Sequence, residues 1–176
     1  VLRNVRLSFA SLYERKSFEE GQEGRFEATF LIDPETKTGE VNLADVEAAI
    51  DDVKAVKWGN KQPKLGPDRI CLRDGDEKNY DGFAGMMYIS AANKKQPKLV
   101  SRSNEELDGN DDGLFYSGCY VDAIVTIWAQ DNKYGKRVNA MLEAVRFVAD
   151  GEAFAGKPVK ASDFGEPLET HGFDDA

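Results

Sequence analysis

Alternating apolar and polar positions near the start of the chain predict β-strands with one buried face. Val5, Leu7 and Phe9 alternate with polar residues, and a similar alternation runs from Phe26 to Ile32. A period of two places successive side chains on opposite faces of a sheet. We therefore expect two strands, each turning one face toward a core.

A helical period occurs between residues 43 and 58. Apolar residues recur there every three or four positions, at Leu43, Val46, Ile50 and Val53. Asn42 precedes this run as a candidate N-cap, and Gly59 follows Trp58. The pattern predicts one amphipathic helix.

Further strands are predicted from Arg69 to Arg73, from Gly85 to Ala92 and, most strongly, from Cys119 to Gln130. In the last segment Val121, Ala123, Val125, Ile127 and Ala129 share one face, and Tyr120, Asp122, Ile124, Thr126 and Trp128 share the other. A polar turn at residues 131–136 predicts an antiparallel hairpin with the next strand. A break in the alternation around residues 144–147 suggests a bulge. Such a set of strands with one helix fits a small barrel or an α+β sheet, and the pattern alone does not choose.

Composition divides the chain into a body and a tail. With 176 residues and 41% apolar positions, the sequence can bury one good core. From Gly151 onward Gly, Pro and acidic residues dominate. We expect one domain over residues 1–150 and a flexible acidic tail over residues 151–176. The segment from Asn104 to Gly113 is acidic and rich in Gly, and is interpreted as a surface loop whose role stays open.

The formal net charge of −9 argues at first against a nucleic-acid partner. Its distribution weakens that argument. Five of the nine net negative charges fall in the last fifteen residues, which contain no Lys or Arg, so the rest of the chain carries about −4.

Several classes of protein lack the residues they need. His171 is the single histidine and lies in the tail, so His-based triads and Cys/His zinc sites are not expected. Cys71 and Cys119 form no CxxC pair, which favours a reduced, cytoplasmic protein. No apolar run is long enough to cross a bilayer, and we expect no secretory leader. Because the sequence begins with Val1, we expect that a few residues precede it.

Three acidic or Gly-rich segments resemble known motifs without completing them. Gly151 to Lys157 matches a phosphate-binding loop, but Pro158 follows where a hydroxyl residue is needed. Asp108 to Gly113 has the spacing of a calcium loop, but Cys119 stands where the bidentate glutamate belongs. A magnesium site is conceivable at Asp74, Asp76, Glu77 and Asp81, although Asp74-Gly75 is a common turn pair. We expect no metal and no cofactor.

The positive signal is three stretches that contain basic residues and no acidic ones. They hold Lys54, Lys57, Lys61 and Lys64; Lys94, Lys95, Lys98 and Arg102; and Lys133, Lys136 and Arg137. Aromatic residues lie in or beside them at Trp58, Tyr88, Trp128 and Tyr134. Single-stranded nucleic acid is bound by this mixture, because cations follow the phosphates while exposed rings stack on bases. For each ring, packing in the core is the competing interpretation.

Several segments resemble a family of phage-encoded single-stranded-DNA-binding proteins. They are Asn4-Val-Arg-Leu-Ser-Phe9, Leu72-Arg-Asp-Gly-Asp-Glu-Lys78, Gly82-Phe-Ala-Gly85, Ile89-Ser-Ala-Ala-Asn-Lys-Lys95, Phe115-Tyr-Ser-Gly-Cys-Tyr-Val121 and Asp131-Asn-Lys-Tyr-Gly-Lys136. The likeness implies a mainly β OB-fold that binds single-stranded DNA without strict sequence preference during phage replication or recombination, inside the infected bacterium. It implies no catalysis. The matching positions carried over as DNA contacts are Arg73, Lys78, Lys94, Lys95, Tyr116, Lys133 and Lys136.

Acidic C-terminal tails in such proteins dock replication partners and compete with DNA for the basic groove. Here the candidate docking residues are Asp163, Phe164, Glu166, Glu169, Phe173, Asp174 and Asp175. A disordered, solubilising end is the simpler interpretation.

Two other functions stay open at this stage. The first is a protein-interaction or structural module of a phage, whose acidic surface recognises a basic partner. The second is a metal-dependent nuclease that uses Asp74, Asp76 and Glu77.

Overall fold

The computed structural model describes residues 1–17, 20–21, 23–108, 113–154 and 164–168. Within these ranges the strands are β1 (Leu2–Lys16), β2 (Arg25–Ile32), β3 (Leu72–Asp74), β4 (Met87–Asn93), β5 (Lys98–Val100), β6 (Tyr120–Asn132) and β7 (Gly135–Ala149), and the helix is α1 (Lys37–Trp58). Short 3₁₀ turns at Pro67–Arg69 and Gly75–Glu77 flank β3.

The sheet closes on itself. Its strand order is β3-β4-β2-β1-β6-β7-β5, and β4 also pairs with β7 in parallel through Ala91 with Ala140 and Ala92 with Met141. That pairing joins the two ends of the run β4-β2-β1-β6-β7 into a five-stranded barrel. The fold is therefore a small barrel rather than an open α+β sheet.

Alternation places the apolar face of each strand inside the barrel. Val5 and Leu7 of β1, Phe30 of β2 and Leu142 of β7 are almost completely buried. The helix adds Val46 and Ile50 to the same core. Burying such side chains contributes about 1.5–3 kcal/mol each, which is why the pattern of period two is so well kept.

The helix begins earlier than its apolar period suggests. Its N-cap is Thr36, whose hydroxyl accepts a hydrogen bond from the Gly39 N–H at 2.9 Å. The prediction that Asn42 caps the helix is wrong. Asn42 is buried inside the second turn, where its amide binds the backbone N–H and C=O of Arg3.

The predicted hairpin and bulge are both present. β6 and β7 pair antiparallel from end to end around a turn at Lys133 and Tyr134. The register shifts twice, leaving Glu143 and Val148 as extra residues on β7, just outside the segment where the alternation slips.

A charged contact on the outer face of this hairpin should make stability depend on pH. Asp122 is half-buried; although desolvation raises the pKa of its carboxyl, the side chain of Arg146 and the Asn4 N–H outweigh it and hold the pKa below its usual range. A lowered pKa means that the carboxylate stabilises the fold above about pH 4, and that this contribution is lost as the pH falls through the folded value.

Asp122→Asn is therefore expected to lower the free energy of unfolding by about 1–3 kcal/mol at pH 7. The difference from the unmodified chain should shrink at pH 3. Urea denaturation at the two pH values measures it, with Asp45→Asn on the exposed side of α1 as the matched control. An equal loss at both pH values would contradict the assignment.

Candidate nucleic-acid interface

A broad cleft of about 850 Å³ crosses the outer side of the barrel. Residues of β1, β2, β4, β6 and β7 line it, together with Arg69, Ile70, Cys71, Arg73 and Tyr80 from the segment that contains β3. The lining combines half-buried or exposed polar strand residues with small or apolar core residues: Thr29, Ser90 and Asn139 belong to the first group, and Ala28, Ala91 and Val138 to the second. Neighbouring residues from both faces of the strands therefore contribute to the cleft.

The cleft is strongly cationic in a chain whose net charge is −9. Among the residues that the structure describes, its lining includes the basic residues Lys16, Arg25, Arg69, Arg73 and Arg137 and one acidic residue, Glu27. Glu27 lies 4.0 Å from the Lys16 ammonium and 3.7 Å from the Arg25 guanidinium. One carboxylate cannot neutralise five cations, so the cleft keeps a net positive charge.

Backbone carbonyls orient two of these arginines. The Asp68 carbonyl accepts hydrogen bonds from Arg73 at 2.8 Å and from Arg137 at 2.9 Å, and Arg73 also donates to the Ile70 carbonyl. Arg69 lies against Gly135, where a side chain on residue 135 would collide with its guanidinium. A carbonyl fixes a guanidinium without cancelling its charge, so these cations stay available to an anion.

Exposed aromatic rings lie at separate points of the cleft. Phe9 and Tyr80, here called the outer aromatic pair, are 48% and 51% exposed, with ring centroids 4.8 Å apart. Trp128 on β6 is 40% exposed. Each therefore offers part of a ring face to a planar ligand.

The backbone of β1 turns Phe9 outward. The pairing of β1 with β2 shifts register between Ser8 and Ser11, and Phe9 has φ 47°. A left-handed conformation costs an L-residue about 1–2 kcal/mol. Strain of this kind clusters at functional sites, and here it exposes a large apolar ring.

Two of the predicted aromatic DNA contacts are buried in the structure. Tyr88 is 3% exposed because residues 75–86, here called the aromatic loop, fold over it and place Phe83 5.2 Å from its ring. Tyr116 is 4% exposed, and its hydroxyl donates to Asp150 at 2.7 Å. Neither ring is accessible, so the prediction of Tyr88 as a base-stacking residue and the prediction of Tyr116 as a DNA contact are both wrong.

Of the remaining predicted aromatics, Trp128 lines the cleft, whereas Trp58 and Tyr134 lie outside its lining. Trp58 is half-buried, and its Nε1–H donates to Asp131 at 2.9 Å, tying the end of α1 to the hairpin. Tyr134 is 73% exposed in the hairpin turn, with the Lys133 ammonium 5.1 Å from its ring centroid. Tyr134 is thus accessible, whereas Trp58 mainly packs.

Of the predicted basic contacts, Arg73 lines the cleft. The predicted lysines are exposed and lie outside its lining: Lys61, Lys78, Lys94, Lys95, Lys98, Lys133 and Lys136. Lys94 pairs with Glu23 at 3.7 Å and Lys98 with Glu106 at 2.9 Å. Their contact with DNA stays a prediction.

Sequence reasoning missed much of the lining. Arg137 belongs to the third basic stretch but was not predicted as a DNA contact, and Arg25 was not singled out. Each precedes a buried residue of a strand, so both are outward positions of the alternation, and that signal could have identified them. Lys16, Arg69 and Tyr80 have no such signal. The alternation with Val5 and Leu7 predicts an inner position for Phe9, because the bulge that turns it outward has no mark in the sequence.

The acidic segments have structural roles where they are described. The Asp74 side chain accepts the Asp76 N–H at 2.9 Å, and Asp76 accepts the Gly85 N–H at 2.8 Å, so both close turns of the aromatic loop. Among the described residues no group of three or more His, Cys, Asp or Glu side chains is placed to hold a metal. The middle of the segment Asp108 to Gly113, which has the spacing of a calcium loop, lies outside the described residues. So does Lys157 of the segment that resembles a phosphate-binding loop.

Little of the tail is described. Phe164 and Glu166 are exposed, and Phe164 is 90% accessible. The predicted docking residues Asp163, Glu169, Phe173, Asp174 and Asp175 lie outside the described residues. The one long helix in the described ranges is too polar to span a membrane.

A closed barrel with a cationic cleft and exposed rings defines an OB-fold of the class that binds single-stranded nucleic acid. The model of the family described as Enterobacter phage Enc34, ssDNA-binding protein, matches residues 1–175. The chain belongs to this family of phage single-stranded-DNA-binding proteins, which are not enzymes. The resemblance seen in the sequence and the expected OB-fold are both confirmed.

Individual relatives agree with this membership. Putative protein p50 of Acyrthosiphon pisum secondary endosymbiont phage 1 is 42% identical over 162 residues, which cover 88% of this chain and 85% of the relative. A C-terminally truncated single-stranded DNA-binding protein from bacteriophage Enc34 matches with a TM-score of 0.75 and 30% identity, over 86% of each chain. The same phage protein in complex with ssDNA matches with a TM-score of 0.75 and 29% identity, again over 86% of each chain.

Proposed function

We propose that this chain binds single-stranded DNA along the cleft, without strict sequence preference. The observation that carries the proposal is the combination of five cations, one carboxylate and exposed rings in a single concave surface. The solved complex of the similar Enc34 protein with ssDNA supports it.

Two kinds of contact contribute to DNA binding. Lys16, Arg25, Arg69 and Arg137 follow the phosphates, and the outer aromatic pair and Trp128 stack on bases. Stacking tolerates every base because every base has a π-face, which gives binding without sequence preference. It also requires unpaired bases, so a duplex should bind more weakly. The exposed lysines at positions 94, 95, 98, 133 and 136 extend the positive path beyond the cleft.

Family membership supports a role during infection of a bacterial host. The protein coats single strands during replication or recombination of phage DNA in the cytoplasm of the infected bacterium. The body over residues 1–150 holds the DNA, and the acidic tail over residues 151–176 docks replication or recombination proteins. The tail also competes with DNA for the cleft, because its carboxylates resemble phosphates in charge.

Fluorescence anisotropy of a labelled single-stranded oligonucleotide tests the proposal. The full chain and a chain ending at Ala161 are titrated at two salt concentrations. Both should bind, the shortened chain more tightly, and the affinity should fall with salt at a slope near −0.7 per neutralised phosphate. A duplex of the same length is the control.

Two results would count against it. If neither chain binds at low salt, the DNA-binding proposal fails. If both chains bind equally at every salt concentration, the barrel binds DNA but the tail is not a competitor.

A further inference from the structure

The first residues after the barrel are built into its body. The Phe154 N–H donates to the Ser117 carbonyl at 3.1 Å, and the Tyr116 hydroxyl contacts Asp150 and accepts the Gly151 N–H. The segment 150–154 is thus fixed before the rest of the C-terminal segment begins.

Arg6 clamps this segment from the side. Its Nε donates to the Gly118 carbonyl at 3.0 Å, and its Nη2 donates to the Glu152 carbonyl. Its guanidinium also lies 4.3 Å from the centroid of the Phe154 ring, within the range of a cation–π contact. One side chain therefore holds both the backbone and the ring.

Phe154 packs in turn against the aromatic loop. Its ring lies so close to Gly82 that any side chain there would overlap it, and Gly82 has φ 83°, which glycine adopts without strain. Phe154 also packs on the small core of Leu31, Phe83 and Tyr88.

The outer aromatic pair rests on the same core. The Phe83 ring centroid is 5.4 Å from that of Tyr80 and 6.0 Å from that of Phe9. A continuous set of packing contacts therefore joins Arg6 and Phe154 on one side of the aromatic loop to the rings exposed in the cleft on the other.

We propose that Phe154 and Arg6 are positioning residues that hold the aromatic loop so that Phe9 and Tyr80 are preorganised to stack on bases. Neither residue lines the cleft. Ordering a mobile loop on binding would cost affinity, and packing it beforehand removes that cost. The inference rests on the proposed function, because it assigns these residues a role in the same site.

Two probes separate stacking from charge. Full-length chains are titrated with oligothymidylate and with an oligonucleotide of equal length whose sugars carry no bases. The dissociation constant for the abasic strand divided by that for oligothymidylate reports the stacking contribution alone. Phe154→Ala is expected to reduce that ratio by about tenfold, while affinity for the abasic strand stays within about twofold. Arg6→Lys should act in the same direction, and the double variant should add little to Phe154→Ala.

Phe115→Ala is the matched control, since Phe115 is also half-buried and packs on a ring, that of Phe147, away from the cleft. It should lower thermal stability but leave the ratio unchanged. Phe154→Tyr, which keeps the ring, should restore the ratio. If Phe154→Ala does not fold, Phe154→Leu takes its place.

The outcomes are distinct. A ratio near one for the unmodified chain would overturn the stacking part of the proposed function. A high ratio that survives in Phe154→Ala or Phe154→Leu would overturn only the positioning role. A ratio lowered equally by Phe115→Ala would assign the effect to general stability and would also overturn that role.

Discussion

Reversal of two cleft charges, Arg25→Glu with Arg69→Glu, is expected to weaken binding of a single-stranded oligonucleotide by about 100-fold at low salt. Both guanidiniums line the cleft, and neither is fully neutralised. Each lost phosphate contact reduces the number of counterions that are released when DNA binds. For two lost contacts, the plot of log affinity against log salt concentration should become less steep by about 1.4. Anisotropy titrations over a range of salt concentrations measure both quantities.

The control must change the net charge by the same amount. Lys37→Glu with Lys57→Glu does so on exposed positions of α1 outside the cleft lining. Beyond a Debye length of about 10 Å at 0.1 M salt, such charges act weakly on bound DNA. If the two double variants lose the same affinity, net charge rather than the cleft governs binding.

Removal of exposed rings should produce the second large effect. Phe9→Ala and Trp128→Ala are each expected to weaken binding by about 1–3 kcal/mol, or about 5- to 150-fold. The salt dependence should not change, because no phosphate contact is lost. Phe147→Ala, which removes a ring away from the cleft, is the control.

Phe9 also allows binding to be separated from stability. Because its φ is 47°, the free energy of unfolding of Phe9→Gly should exceed that of Phe9→Ala by about 1 kcal/mol, which denaturant titration measures. Both variants should bind DNA equally weakly. Equal stability of the two variants would show that the strain at this position is small. Unchanged binding by both would remove Phe9 from the site.

The elements with a regular period were predictable. The alternation in β2 and β6 and the three- to four-residue spacing in α1 reflect burial on one face, which dominates local sequence choice. The start of α1 was not predictable in this way, because its first turn lies before the apolar run and Thr36 supplies the cap. The closure of the barrel through Ala91 and Ala140 depends on residues far apart in the chain, and no local pattern records it.

The residues of the site were likewise predicted only in part. Arg73 and Trp128 were predicted and line the cleft, whereas Tyr88 and Tyr116 were predicted and are buried. A strand position facing away from the barrel is exposed only if no loop covers it. The aromatic loop covers Tyr88. Tyr116 lies before β6 and packs in the main core, where its hydroxyl donates to Asp150.

By itself the sequence determined which residues form most strands and the helix, the acidic composition of the C-terminal end, and the resemblance to a phage DNA-binding family. These features depend on local periodicity, composition and motifs. Only the tertiary structure decided which cations share one surface, because Lys16, Arg25, Arg69, Arg73 and Arg137 come from distant segments joined by the closure of the barrel. It also decided that Phe9 and Tyr80, rather than Tyr88, present rings to that surface, because a bulge and a loop override the alternation of the strands.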